Sequence, residues 1–147
     1  MKTILVVEDE ITTWMALEFQ LRRSNLGATL HRAAGHEEVA DSWLKRSREL
    51  DLAIIDLQLP VENAINPDRG FDVIARIQEK YPATPIIVLT GRNDKVAYER
   101  THSYPSVCYF IIKPWSQARL IEAAAACLGD TAASGRAGNP VLIGKLT

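Results

Sequence analysis

Five short apolar runs punctuate the chain, and longer amphipathic stretches separate them. The first is Thr3-Ile4-Leu5-Val6-Val7, and Ala28 to Ala33 alternates more loosely as the second. Asp51-Leu52-Ala53-Ile54-Ile55-Asp56 is the third, Pro85 to Thr90 the fourth and Val107 to Ile112 the fifth. Continuous apolar runs of this length, rich in Val and Ile, read as strands buried on both faces. Between them the spacing becomes helical. Ile11 to Arg23 carries Met15, Leu17, Phe19 and Leu21 and stops at Asn25-Leu26-Gly27. Gly35-His36-Glu37-Glu38 opens a second helix that turns Val39, Trp43 and Leu44 toward the sheet. Phe71, Val73, Ile74 and Ile77 predict a third helix, ending at Tyr81-Pro82. Asp94 to Ser106 is polar and predicts only a short fourth helix, and Ser116 to Leu128 predicts the last.

Strand and helix thus alternate five times, which predicts an α/β fold. It is a doubly wound, five-stranded parallel sheet with right-handed crossovers and helices on both faces. The natural strand order is 2-1-3-4-5, with the switch point between the first and third strands. Residues 1–128 form one domain. Residues 129–147 change composition: Thr131 to Gly138 is rich in Ala, Ser and Gly and reads as a flexible linker. Asn139-Pro140-Val141-Leu142-Ile143-Gly144 then offers a short apolar patch: a disordered stub, an arm that docks on a sheet or a neighbour, or the remnant of a longer natural chain.

Composition narrows the class. At 147 residues, 47% hydrophobic and 24% charged, the chain has the balance of a globular protein. A net charge of −1 favours neither nucleic acid nor a membrane surface. No apolar run approaches the roughly 20 residues of a spanning helix, and no signal-peptide pattern opens the chain. Cys108 and Cys127 lack metal-type spacing and read as packed thiols in a reducing cytoplasm.

The candidate chemistry lies at the strand ends. Asp56 closes the third strand, Glu8-Asp9-Glu10 follows the first, Thr90 ends the fourth and Lys113 the fifth. In an open α/β sheet these carboxyl ends form the ligand-binding edge. Each residue also has a plainer use. An Asp opening a loop holds backbone amides, and Glu8 and Asp9 suit the first turn of a helix. Together, however, the carboxylates repel by roughly 3 kcal/mol per pair at about 5 Å. They call for a hard cation such as Mg²⁺. A hydroxyl and an ammonium beside them are what a phosphoryl group on Asp56 would require.

These strand ends resemble the receiver domain of two-component response regulators, a CheY-like form of the flavodoxin-like fold. The matching motifs are Val6-Val7-Glu8-Asp9, Ile55 to Pro60, Ile87-Val88-Leu89-Thr90-Gly91 and Phe110-Ile111-Ile112-Lys113-Pro114. The resemblance implies a phosphorylation-activated switch. Asp56 takes phosphoryl from a sensor histidine kinase or a histidine phosphotransfer protein. Glu8, Asp9, Asp56 and the backbone carbonyl of Gln58 hold Mg²⁺. Lys113 pairs with the phosphoryl oxygens, and its bond to Pro114 is cis. Thr90 and Phe110 form a switch pair that re-shapes the helix 4–strand 5–helix 5 face for a downstream protein target or a second copy of the chain. The resemblance places the chain in the cytoplasm, as a stand-alone receiver that binds neither nucleic acid nor membrane and turns over no external substrate.

Several features depart from the family pattern. Gly70 lies 14 positions beyond Asp56, so Val61 to Arg69 reads as an insertion that shields the acyl phosphate, contacts a partner or is merely tolerated. Arg92 and Gln58 occupy positions that affect the approach of water. Tyr98, Tyr104, Tyr109 and Trp115 suggest either an aromatic face for a partner or second copy, or, for most of the four, ordinary packing. A haloacid-dehalogenase-type phosphatase would need an Asp at position 58, where Gln58 stands. A flavin mononucleotide site would be repelled by Glu8-Asp9-Glu10. The remaining alternative is a receiver-fold interaction module that works without phosphorylation.

Overall fold

Hydrogen-bonded apolar strands with no polar face must be covered on both sides, and the computed structural model meets that demand with two helical layers. It describes residues 1–129 and 140–144. In chain order the elements are β1 (Lys2–Val7), α1 (Ile11–Arg23), β2 (Ala28–Ala33) and α2 (His36–Val39), which widens into a π turn at Ala40–Leu44. β3 (Leu52–Ile55), β4 (Leu59–Val61), β5 (Ala64–Asn66), α3 (Arg69–Lys80) and β6 (Ile86–Thr90) follow. The chain continues through α4 (Lys95–Thr101), β7 (Val107–Ile112), α5 (Gln117–Leu128) and β8 (Val141–Ile143). Among the described residues, no helix is long and apolar enough to cross a membrane.

The main sheet runs β2-β1-β3-β6-β7-β8, parallel throughout. Its first five positions are the order 2-1-3-4-5 expected from the sequence, because the predicted fourth and fifth strands are β6 and β7. The expected count of five is one short. The apolar patch assigned to a flexible tail supplies β8 on the outer edge of β7, with Tyr109 opposite Val141, Phe110 opposite Leu142 and Ile111 opposite Ile143. Three residues are too few to show a strand period in sequence. The linker expected over Thr131 to Gly138 lies outside the described residues.

Alternation along the strands divides the core. Leu5, Val7, Ala53, Ile55, Val88 and Phe110 face α2, α3 and α4. Ile4, Val6, Ile54, Ile87, Leu89 and Ile111 face α1 and α5. The last strand extends both layers, with Leu142 packed on the first cluster and Ile143 on the second. Cys108 and Cys127 are buried in the second. Of the two readings of the four aromatics, packing is the one the structure favours, since all four are half-buried. Tyr98 and Tyr104 pack on one cluster, Tyr109 and Trp115 on the other.

The insertion is ordered. Leu59–Val61 pairs antiparallel with Ala64–Asn66 in a separate two-stranded sheet, closed by Glu62 and Asn63 with Glu62 at a positive φ of 59°. The chain then returns to where it left. Gly70 N donates to Leu57 O at 2.9 Å, and a Cβ on Gly70 would lie 2.2 Å from Asp56 O and 2.4 Å from Leu57 Cα. Only glycine lets α3 begin this close to the loop after β3. Both clashing atoms are backbone, so Gly70→Ala is expected to cost about 2–3 kcal/mol. Thermal denaturation should show a melting temperature roughly 5–10 °C lower.

Candidate functional site

The carboxyl ends of β1, β3 and β7 bring their polar residues to one cleft, lined by Glu8, Asp9, Glu10, Asp56, Gln58, Ile65, Gly91 and Lys113. Backbone bonds fix these positions before any side chain acts. Glu8 N donates to Ala33 O, Asp56 N to Val7 O and Lys113 N to Thr90 O, at 3.0, 3.1 and 2.8 Å. Each functional residue is thus hydrogen-bonded to the neighbouring strand.

Side-chain geometry then concentrates charge. Glu8, Asp9 and Asp56 each offer a carboxylate oxygen, and these atoms lie within 4.8 Å of one another. Glu8 and Asp56 are buried, at 2% and 4% exposure. Lys113 Nζ donates to Glu8 Oε1 at 2.7 Å and to Asp56 Oδ2 at 2.9 Å. The second oxygen of Asp56 accepts from Gln58 N at 3.0 Å, and Glu8 Oε2 accepts from Glu10 N at 3.1 Å. Glu10 itself serves α1, accepting from the hydroxyls of Thr12 and Thr13, which hold its pKa below the ordinary range.

Electrostatics favours a further cation here. One ammonium faces three carboxylates, two of them buried. Burial raises the Glu8 carboxyl above its ordinary range against the opposing hydrogen bond from Lys113, and the charge of Asp56 adds to the rise. Burial also works against the Lys113 ammonium, but Asp56 and Glu8 outweigh it and its pKa is raised. The oxygen-only donor set and the deficit of positive charge fit a small hard divalent ion of the Mg²⁺ type.

The predicted switch residues lie outside the cleft. Thr90, fully buried, ends β6, and its Oγ1 accepts from Arg92 N at 3.2 Å. Phe110 is buried in the core beneath α4, where Tyr98 meets its ring edge-on with centroids 5.4 Å apart. The Lys113–Pro114 bond is cis, as the resemblance implied.

Arg32 escaped the sequence reading, and Arg92, singled out there only for the approach of water, has partners the sequence did not show. Arg32, on β2, donates to Glu8 O at 3.1 Å and Asp9 O at 3.0 Å, fixing the acidic turn by its carbonyls. Arg92 reaches Pro67 O at 3.1 Å, Asp68 Oδ1 at 2.5 Å and both oxygens of Asp94 at 3.0 Å. Asp94 in turn caps α4 by accepting from Ala97 N at 3.0 Å, so Arg92 joins the insertion to α4. Asp68 and Arg92 stand 24 positions apart, so their pairing needed the fold. The hairpin also sets Ile65, 54% exposed, at the mouth of the cleft.

Comparison with known proteins agrees with this geometry. The family model for the response regulator receiver domain matches residues 4–125. The signal receiver domain of an HD domain-containing protein from Pseudomonas fluorescens Pf-5 superposes with a TM-score of 0.74 at 28% identity, covering 90% of this chain and 98% of that one. The response regulator protein TrrA from Thermotoga maritima, solved in complex with Mg²⁺-BeF, gives 0.69 at 25% identity, covering 87% of this chain and 100% of that one. Autoinducer 1 sensor kinase/phosphatase LuxN of Vibrio campbellii is 31% identical over 91 residues, 62% of this chain. The chain spans about a tenth of that relative's length.

Because the charged form of Glu8 is the disfavoured one, Glu8→Gln should raise the melting temperature of the metal-free chain. The same change replaces an anionic carboxylate by a neutral amide and should weaken Mg²⁺ binding about ten-fold or more. Thermal denaturation and a Mg²⁺ titration check the two effects separately.

Proposed function

The chain belongs to the response regulator receiver domain family, and from that we propose that it is a phosphorylation-driven switch with Asp56 as phosphoacceptor. The observation that carries the reading is the Asp56 carboxylate, 2.9 Å from Lys113 Nζ and within 4.8 Å of the oxygens of Glu8 and Asp9. A buried nucleophile ringed by acids suits a reaction in which negative charge arrives with a cation to meet it.

The donor is a phosphohistidine on a sensor kinase or phosphotransfer protein. A carboxylate oxygen of Asp56 attacks phosphorus, the P–N bond breaks, and its electron pair returns to the imidazole nitrogen. The product is an acyl phosphate on Asp56. Glu8, Asp9, Asp56 and the Gln58 carbonyl would hold Mg²⁺, whose chemistry is to neutralise the phosphoryl oxygens. Lys113 exchanges its carboxylate partners for a phosphoryl oxygen. Thr90 turns its hydroxyl from the Arg92 amide toward the phosphoryl group, and Phe110 responds beneath Tyr98. The shift biases a two-state element at the α4–β7–α5 face, where a downstream protein reads it. The switch acts in the cytoplasm and turns over no external substrate.

Intact mass after incubation with Mg²⁺ and a small phosphodonor tests this reading. The native chain should gain one phosphoryl group, while Asp56→Asn, or the native chain without Mg²⁺, gains none. If the native chain takes no phosphoryl group and binds no fluoroberyllate, the chain is an interaction module independent of phosphorylation.

A further inference from the structure

The outer edge of β7 is the one part of the proposed readout face that already carries a ligand, and the ligand is the chain itself. Residues 141–143 pair with Tyr109, Phe110 and Ile111 in parallel register. Tyr98 Oη, on α4, donates to Pro140 O at 3.1 Å. Gly144, at a φ of 133°, passes so close to β7 that a Cβ there would lie 2.9 Å from Ile112 Cβ. Pro140, at the strand's start, has no N–H to leave unpaired. The segment thus has residues suited to this seat: a buried Pro140, Leu142 and Ile143 directed to opposite core layers, and a glycine where the backbone must pass Ile112.

The hold is nevertheless slight. Three residues make a short edge strand, Val141 is 48% exposed, and Leu142 and Ile143 are only half-buried. Such elements open at low free energy compared with the core. The residues that hold the strand are also those beside the switch. Phe110 sits between Val88 on β6 and Leu142 on β8 in the sheet register, and its ring touches that of Tyr98. Tyr98 therefore contacts both Phe110 and the carbonyl that opens the strand. Thr90 lies two residues beyond Val88 on the same sheet face.

We infer that the β7 edge, between α4 and α5, is a strand-binding surface with residues 140–144 as its resident ligand, and that phosphorylation of Asp56 loosens this ligand through Thr90, Phe110 and Tyr98. The inference rests on the reading of Asp56 as phosphoacceptor. In the resting chain the segment covers a sheet edge that would otherwise be open to any extended apolar strand. After phosphorylation the edge becomes free for an incoming partner.

Hydrogen exchange on the full chain, with and without Mg²⁺ and fluoroberyllate, tests it. In the metal-free native chain the amides of 141–143 should exchange about ten-fold or more slowly than in Leu142→Asp, and that variant should also expose Tyr109–Ile111. Tyr98→Phe keeps the ring but loses the bond to Pro140, so exchange at 141–143 should rise about five-fold while the core stays protected. Fluoroberyllate should raise it by a similar factor in the native chain. Equal exchange at 141–143 in the native chain and Leu142→Asp overturns the resident ligand. Unchanged exchange there, while slowed exchange at 56–58 shows that fluoroberyllate is bound, overturns the coupling alone. No slowing at 56–58 overturns the phosphoacceptor reading and the coupling with it, and the Leu142→Asp comparison still decides the strand.

Discussion

The site depends on one shared ammonium. Lys113 Nζ sits 2.7 Å from Glu8 and 2.9 Å from Asp56, so a single ammonium hydrogen-bonds both buried carboxylates at the end of the sheet. Burying paired charge is costly unless geometry and hydrogen bonds are both good. Here the backbone supplies much of that geometry, since each of the three residues is hydrogen-bonded through its N–H to an adjacent strand. Arg32 adds a second restraint on the carbonyl side of the acidic turn. The arrangement remains short of positive charge, which suits the edge of an otherwise apolar sheet to a further cation.

Much of this was legible in the sequence because the central strands are buried on both faces. Runs such as Ile86 to Thr90 and Val107 to Ile112 can hardly be anything else when amphipathic stretches separate them. Their ends then locate Asp56, Thr90 and Lys113 by topology. What stayed hidden depends on distant partners. The hairpin of Leu59–Val61 and Ala64–Asn66 has strands of three residues and no clear alternation, and it read as a loop. The last strand is equally short and follows a stretch whose composition suggested only a linker. Arg32 looked like one polar residue in an edge strand. Its role follows from a register that pairs it with Val6, two residues before Glu8. The aromatic residues left surface and packing both open in sequence, and only the fold decides: Tyr104 stacks on Phe71 with centroids 5.8 Å apart, and the Trp115 indole donates to Gln20 at 2.7 Å.

Arg92 shows how the insertion belongs to the domain. Its guanidinium takes Asp68 on one side and Asp94 on the other, and its backbone N–H holds the hydroxyl of Thr90. Asp94 lies below its usual carboxylate range chiefly because of that guanidinium. The hairpin, the cap of α4 and the end of β6 therefore meet at a single residue. The individual ion pairs are partly exposed, and each contributes little stability.

The chain leaves the sheet and re-enters it through almost the same point. Asp56 grips the amide of Gln58 on the way out, and Leu57 receives Gly70 on the way back. Between these anchors Leu59 is buried in the core and Asp68 is held by Arg92, but the tip of the hairpin from 61 to 66 is exposed throughout. Closure entropy grows only slowly with loop length, so this doorway tolerates exchange of its contents. Residues 61–66 are therefore an interchangeable tip, in which a lineage could rewrite the surroundings of Asp56 while leaving the carboxylate and the core beneath it untouched.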